Sequence, residues 1–230
     1  MTAVLLIAGL GGRGSFWDRQ VSALAPRFEP IAFDHRGRDS VEALAQDALA
    51  LLDARGIERC HVVGHSLGGA VAQVIAEDYP ERVGRLVLSA TWCGPTAPFK
   101  ALFELRKRVL SELGAGAAAT LGALIAWPDD WLERHPELLR AGGDSADALR
   151  ARLDAILGFD RSSRLADIRA PTLVVCAQDD RVVPPGHSRR IAAGVPGSIL
   201  RLLPGGGHFP QATATDAYNA VLLEFLEDAR

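Results

Sequence analysis

Three side chains suffice for covalent hydrolysis of a carbonyl compound. One is a serine lifted on a tight turn, one a histidine to take its proton, and one a carboxylate to orient the histidine. Ser66 stands in Cys60-His61-Val62-Val63-Gly64-His65-Ser66-Leu67-Gly68-Gly69, where a short apolar run ends and a helical pattern follows at once. Glycines two residues before and two after the serine make this a G-x-S-x-G turn. A serine on so sharp a strand-to-helix turn needs a strained backbone, and side chains at the two glycine positions would collide. The amide N–H of Leu67, at the start of the following helix, then points toward an oxyanion forming on the attacked carbonyl.

The candidate base is His208, in Pro204-Gly205-Gly206-Gly207-His208-Phe209-Pro210, just past the last apolar run. Such a glycine loop can reach back over a sheet. Of the other histidines, His61 falls inside a strand pattern, and His35, His135 and His187 fall in turns or on helical surface. His65 adjoins the serine, but its side chain should point away from that of Ser66. For the acid, Asp179 and Asp180 follow the fifth apolar run, and from local pattern either is eligible.

These residues need a sheet to hold them. Six short runs rich in Val, Ile and Leu read as strands, at about 3–8, 30–33, 60–64, 85–90, 171–177 and 198–203. Helical periodicity occupies 16–25, 40–55, 67–78, 185–193 and 214–229. Continuous apolar strands alternating with helices imply an α/β fold, a mainly parallel sheet of about six strands covered on both faces. The fourth and fifth runs are too far apart for a simple crossover. Residues 97–160 fill the gap with helical sequence (98–113, 117–127 and 145–157) and read as a small helical cap. The core is then 1–96 together with 161–230.

Gly9-Leu10-Gly11-Gly12-Arg13-Gly14 complicates this reading, because it fits G-x-G-x-x-G after a strand, and Asp34 closes the next strand. A dinucleotide-binding fold keeps its ribose acid there, so an NAD(P)- or flavin-dependent oxidoreductase is a rival. That rival accounts for the first 40 residues and for neither the serine turn nor the later acid and histidine. In the hydrolase reading, the glycines let backbone approach the substrate and the N–H of Leu10 becomes the second oxyanion donor. Asp34 then bonds backbone amides in a structural turn.

Composition narrows the classes further. With 48% hydrophobic and 23% charged residues the chain has ample material for one core, and its net charge of −3 gives no electrostatic case for nucleic acid or an anionic membrane surface. Only Lys100 and Lys107 among the 25 basic residues are lysines, and the arginines are scattered among acids as solvated surface. Cys60, Cys93 and Cys176 have neither metal-ligand nor disulfide spacing, which suits a reducing cytosol. The run from Val4 to Leu10 is too short for a signal core or a membrane span, and no other stretch is expected to cross a bilayer. No metal cluster or phosphate loop of recognised pattern is present. The expectation is a cytoplasmic protein with a small-molecule substrate, no cofactor and no metal, a homodimer being open.

Taken together, these segments resemble the α/β-hydrolase family over nearly the whole chain. The resemblance rests on Gly9 to Gly12, Phe33-Asp34-His35-Arg36-Gly37 and Val63 to Gly69. It continues through Tyr79-Pro80-Glu81-Arg82-Val83, Asp179 to Pro184 and Gly206-Gly207-His208. Within the family it is most similar to the aminoacrylate or carbamate hydrolases of pyrimidine breakdown, through Gly9 to Trp17, Trp127 to Trp131, Leu149 to Asp160 and Asn219 to Leu223. The 3-oxoadipate enol-lactonases share the same framework. The resemblance implies a Ser–acid–His order with the acid four residues before a proline, so Pro184 marks Asp180 and leaves Asp179 as a turn residue. Three departures stand out. Ala8 replaces the usual histidine before the oxyanion turn, the usual leading hairpin is absent, and the loop after Arg36 is short.

The expected activity is that of a serine hydrolase acting on a small ester, lactone, carbamate or aminoacrylate-like compound, with Ser66, Asp180 and His208 as the triad. Phe16, Trp92, Trp127 and Trp131 are the candidate substrate walls. A cofactor-free lyase or hydratase, and a receptor that keeps the triad without turnover, are the alternatives from other classes.

Overall fold

The computed structural model describes residues 1–35, 40–140 and 145–228. Six strands, β1 (Ala3–Ile7), β2 (Glu29–Phe33), β3 (Cys60–His65), β4 (Val83–Ser89), β5 (Thr172–Ala177) and β6 (Ile199–Leu203), form one sheet in the order β2-β1-β3-β4-β5-β6. Every pairing is parallel. The helices are α1 (Asp18–Leu24), α2 (Val41–Ala54), α3 (Leu67–Asp78), α4 (Ala97–Ala126), α5 (Asp129–Arg134), α6 (Ala146–Gly158), α7 (Pro185–Gly194), α8 (Pro210–Thr213) and α9 (Thr215–Glu227). Each strand lies within two residues of its expected bounds. The expected turn at Asp34-His35-Arg36-Gly37 is described only as far as His35.

The central strands read as unbroken apolar runs because they feed two cores, whereas the edge strands β2 and β6 are partly exposed. Ala3, Leu5 and Ile7 of β1 belong to the core that α2 and α3 cover, whereas Val4 and Leu6 belong to the one that α1 and α9 cover on the opposite face. Each such fully buried Leu or Ile contributes about 1.5–3 kcal/mol. The strand order reverses at β1, whose neighbours are β2 on one side and β3 on the other. Loops leaving β1 and β3 therefore diverge at the carboxyl edge and open a crevice there, the usual ligand position in such sheets.

The segment between β4 and β5 is helical, as expected. Thr96 caps α4 by accepting from the Phe99 amide at 3.4 Å, and Ser145 caps α6 by accepting from the Ala148 amide at 3.2 Å. α4 is two arms joined at Gly114, whose φ of 84° and ψ of 178° interrupt the helix. One expectation is corrected here: α4 is long and apolar enough to cross a membrane by length and composition. Its second arm is so rich in Ala, Gly and Leu that it carries almost no charge, and the break at Gly114 divides the apolar stretch. The three cysteines are free and buried.

Candidate active site

Ser66 sits between β3 and α3 with φ 53° and ψ −117°, a left-handed conformation that costs a non-glycine residue about 1–3 kcal/mol. Four hydrogen bonds hold it there. The Ser66 amide donates to the Ser89 carbonyl at 2.9 Å, and the Ser66 carbonyl accepts from the amides of Gly69 (2.9 Å) and Ala70 (3.2 Å). The Thr91 hydroxyl donates to that same carbonyl at 2.7 Å. The flanking glycines are required by contact. A methyl on Gly64 would lie 2.2 Å from the Gly68 carbonyl oxygen, and one on Gly68 would lie 2.2 Å from that of Ile7.

His208 Nε2 lies 3.0 Å from Ser66 Oγ, and its Nδ1 lies 2.8 Å from Asp180 Oδ2. All three side chains are buried. A carboxylate only accepts, so Nδ1 carries the ring proton and Nε2 is left to accept from the serine hydroxyl. Asp180 is itself pinned, because Oδ1 accepts from the amides of Val182 (2.8 Å) and Val183 (2.9 Å). Gly206 (φ 130°) and Gly207 (φ 63°) turn the loop so that the His208 amide donates to the Ala126 carbonyl at the end of α4, at 2.7 Å.

Asp179 does more than turn the chain. Its carboxylate accepts from the amides of Gly207 (2.9 Å) and Gly206 (3.3 Å), and so clamps the loop that carries His208. The signal for this was the glycine run itself, whose exposed amides need an acceptor nearby.

The loop after β1 is fixed from three sides. Asp34 Oδ1 accepts from the Gly14 amide at 2.5 Å, so this carboxylate serves the turn, the role opposite to that of a ribose acid. His35 Nε2 donates to the Ala8 carbonyl at 2.8 Å, and Arg152 of α6 donates to the Leu10 carbonyl at 2.7 Å. His35 was expected in a surface turn, yet it is buried, and burial lowers its pKa from 6.5. His187, expected on helical surface, is buried too, beside Phe99. Among the described residues the amides of Leu10 and Leu67 donate to no protein acceptor.

A cavity of about 560 Å³ opens over Ser66 and His208, walled by the loop after β1 on one side and by α4 and α6 on the other. The arrangement can activate a hydroxyl against a small bound carbonyl compound.

The sequence profile of the alpha/beta hydrolase family matches residues 4–221. The chain belongs to that family. It is 38% identical over 240 residues to the protein named "Putative carbamate hydrolase RutD" of Caulobacter sp., covering 97% of this chain and 90% of that one. Its fold is similar to the crystal structure of a hydrolase from Pseudomonas aeruginosa, with a TM-score of 0.86, 28% identity, and coverage of 99% of this chain and 90% of that one. It is likewise similar to the enol-lactonase from Burkholderia xenovorans, with a TM-score of 0.90, 24% identity, and coverage of 99% and 92%.

In this alpha/beta hydrolase, two of the four expected aromatic walls line the cavity. Phe16 does so while stacked on His65 at 5.0 Å, and Trp127 does so at 4.5 Å from Phe209. Trp92 does not. It is fully buried in the main core against Phe99 (5.1 Å) and Phe159 (5.9 Å), where its large apolar surface is removed from water. Trp131 is also displaced from the wall, since it stacks between Trp127 (6.1 Å) and His135 (4.7 Å) on α5. His65 makes no bond to Ser66, in line with expectation. Its Nδ1 accepts from Gln211 Nε2 at 2.8 Å, and burial with the nearby His208 holds its pKa well below 6.5, so the ring is neutral. Among the described residues no group of His, Cys, Asp and Glu has the arrangement of a metal site.

Proposed function

We propose that this chain is a serine hydrolase that cleaves a small ester, lactone, carbamate or aminoacrylate-like substrate through an acyl-enzyme, with protein groups alone supplying the chemistry. The observation that carries the proposal is the relay from Ser66 Oγ to His208 Nε2 (3.0 Å) and from His208 Nδ1 to Asp180 Oδ2 (2.8 Å), lying on the wall of a cavity of about 560 Å³. Ser66 Oγ attacks the substrate carbonyl as its proton passes to His208 Nε2. The negative charge that develops on the carbonyl oxygen is met by the N–H groups of Leu10 and Leu67. Collapse of the tetrahedral species breaks the bond to the leaving group, which takes the proton from His208. Water then repeats the sequence, with His208 as base, and frees the acid and Ser66. The Caulobacter relative's name supports the carbamate end of this substrate range.

A fluorophosphonate should add one phosphonyl group to Ser66 and abolish hydrolysis of short esters, and Ser66→Ala should be inactive while folded. An unlabelled intact mass, or full activity in Ser66→Ala, would exclude the acyl-enzyme and favour lyase or hydratase chemistry.

A further inference from the structure

The cavity carries a charge that the relay does not use. Among the described residues lining it there is no aspartate or glutamate, and the permanently charged side chains are Arg106 and Arg13. Arg13 is exposed at the mouth, whereas Arg106 is half-buried on the side opposite the strand ends. It projects from the first arm of α4, one turn beyond Phe103, and its guanidinium lies over the Phe103 ring at 5.1 Å. Gly122 on the second arm faces it, since a methyl there would stand in ordinary contact, 3.4 Å from Arg106 Nη2.

Partners distinguish this arginine from the others drawn into the fold. Arg161, Arg82 and Arg152 each reach a carboxylate or a backbone carbonyl. Arg106 makes no hydrogen bond or ion pair among the described residues, and its one recorded contact is the Phe103 face. A guanidinium has five donors and no acceptor, and partial burial limits the water that can reach them. Burial lowers its pKa to about 10, so it stays charged at neutral pH. A cation held in a largely apolar wall, with no partner among the described residues, is suited to a partner that arrives with the ligand.

We infer that Arg106 is a specificity-determining residue that binds a carboxylate on the substrate. The preferred substrate is then a small acyl compound whose anionic end reaches α4 while its scissile carbonyl rests over Ser66. This rests on the hydrolase reading for its chemistry, but anion binding is separable from it. The planar guanidinium fork matches a carboxylate in two parallel hydrogen bonds, and the Phe103 ring restrains its plane.

Monomethyl glutarate and methyl pentanoate are esters of similar length that differ in the terminal charge. The ratio of their kcat/KM values should favour the anion in the wild type. Arg106→Met should lower that ratio about 100-fold, chiefly through KM, and Arg106→Lys should restore part of it. Glutarate titrated calorimetrically into Ser66→Ala should bind, and adding Arg106→Met should abolish the heat. A wild-type ratio near one, a ratio unchanged by Arg106→Met, equal loss on both esters, or loss of the preference in Arg13→Gln instead of Arg106→Met would each overturn the assignment. The wild-type ratio decides even if Arg106→Met does not fold. Glutarate binding without turnover of any ester would leave the anion site standing and remove the hydrolase reading. Turnover of neutral esters without glutarate binding would do the reverse.

Discussion

Replacing each of the two adjacent aspartates by asparagine separates orienting the base from holding its loop. Asp180 accepts three hydrogen bonds, from His208 Nδ1 and from the amides of Val182 and Val183. In Asp180→Asn the amide oxygen keeps the two backbone donors, and its NH₂ faces Nδ1. Two donors cannot meet, so the ring gives up the Nδ1 proton and takes one at Nε2. The Ser66 hydroxyl then loses its acceptor. In serine proteases the same change lowers kcat on the order of 10⁴-fold, and the matching geometry predicts a loss of that size here. Asp179, in the turn that follows β5, faces the loop before His208 and, among the described residues, accepts from Gly206 and Gly207. In Asp179→Asn one of these bonds survives to the amide oxygen, and the other is lost for about 1–2 kcal/mol. Even if all of that appeared as misplacement of His208, the rate would fall only about 10-fold. Steady-state kcat on one short ester, with folding checked by circular dichroism, should therefore separate the variants by about 10³-fold. A folded Asp179→Asn that is slower than Asp180→Asn would refute this division of roles.

The elbow makes a stability prediction. A methyl on Gly68 would meet the carbonyl oxygens of Ile7 at 2.2 Å and Ala8 at 2.5 Å, both rigid backbone. Gly68→Ala should cost about 3 kcal/mol in urea unfolding, and Gly11→Ala, with nothing within 4 Å, about 0.5 kcal/mol or less. A pH effect follows from His61, whose pKa is lowered from 6.5 to about 4 by burial and then by Arg85 and Arg59. Below pH 6.5 the unfolded chain takes a proton that the folded chain refuses, so this contribution is complete above pH 6.5 and is lost as pH falls toward 4. It is worth about 3 kcal/mol at most, and urea midpoints at pH 7, 5 and 4 should fall less steeply in His61→Gln.

Much of this was legible in the sequence because the decisive contacts are backbone contacts. Gly64 and Gly68 must be glycine whatever surrounds them, so the turn at Ser66 is written locally. Likewise the two-core packing of β1 leaves an unbroken apolar run that any reader of periodicity can find. Trp92 and Trp131 were misread because composition does not say which way an indole faces: Trp92 turns into the main core against Phe99, and Trp131 stacks behind Trp127 rather than beside it in the wall. Arg106 was lost among many arginines, since its place in the cavity wall over Phe103 depends on how the two arms of α4 fold around it. His35 was missed for a similar reason: its partner, the Ala8 carbonyl, belongs to a different strand end. Ala8 removes a histidine from one side of the oxyanion loop, and His35 reaches that loop from the other.

The sheet and the helical insertion divide the work but are not independent. Strand ends carry Ser66, Asp180 and the amides of Leu10 and Leu67, whereas α4 and α6 supply most of the opposite wall. Two hydrogen bonds join them at the reacting groups. The His208 amide is tied to Ala126 at the end of α4, and the Leu10 carbonyl is tied to Arg152 of α6. A shift of the insertion large enough to resize the cavity therefore pulls on His208 and on the Leu10 turn together, the proposed base and one proposed oxyanion donor. A misplacement of about 1 Å costs on the order of 10²-fold in rate. Substrate size is thus coupled to rate through the backbone, and substitutions that resize the cavity by moving α4 or α6 must change kcat as well as KM. A substitution confined to a side chain tip, such as that of Arg106, changes what is bound without moving either hydrogen bond.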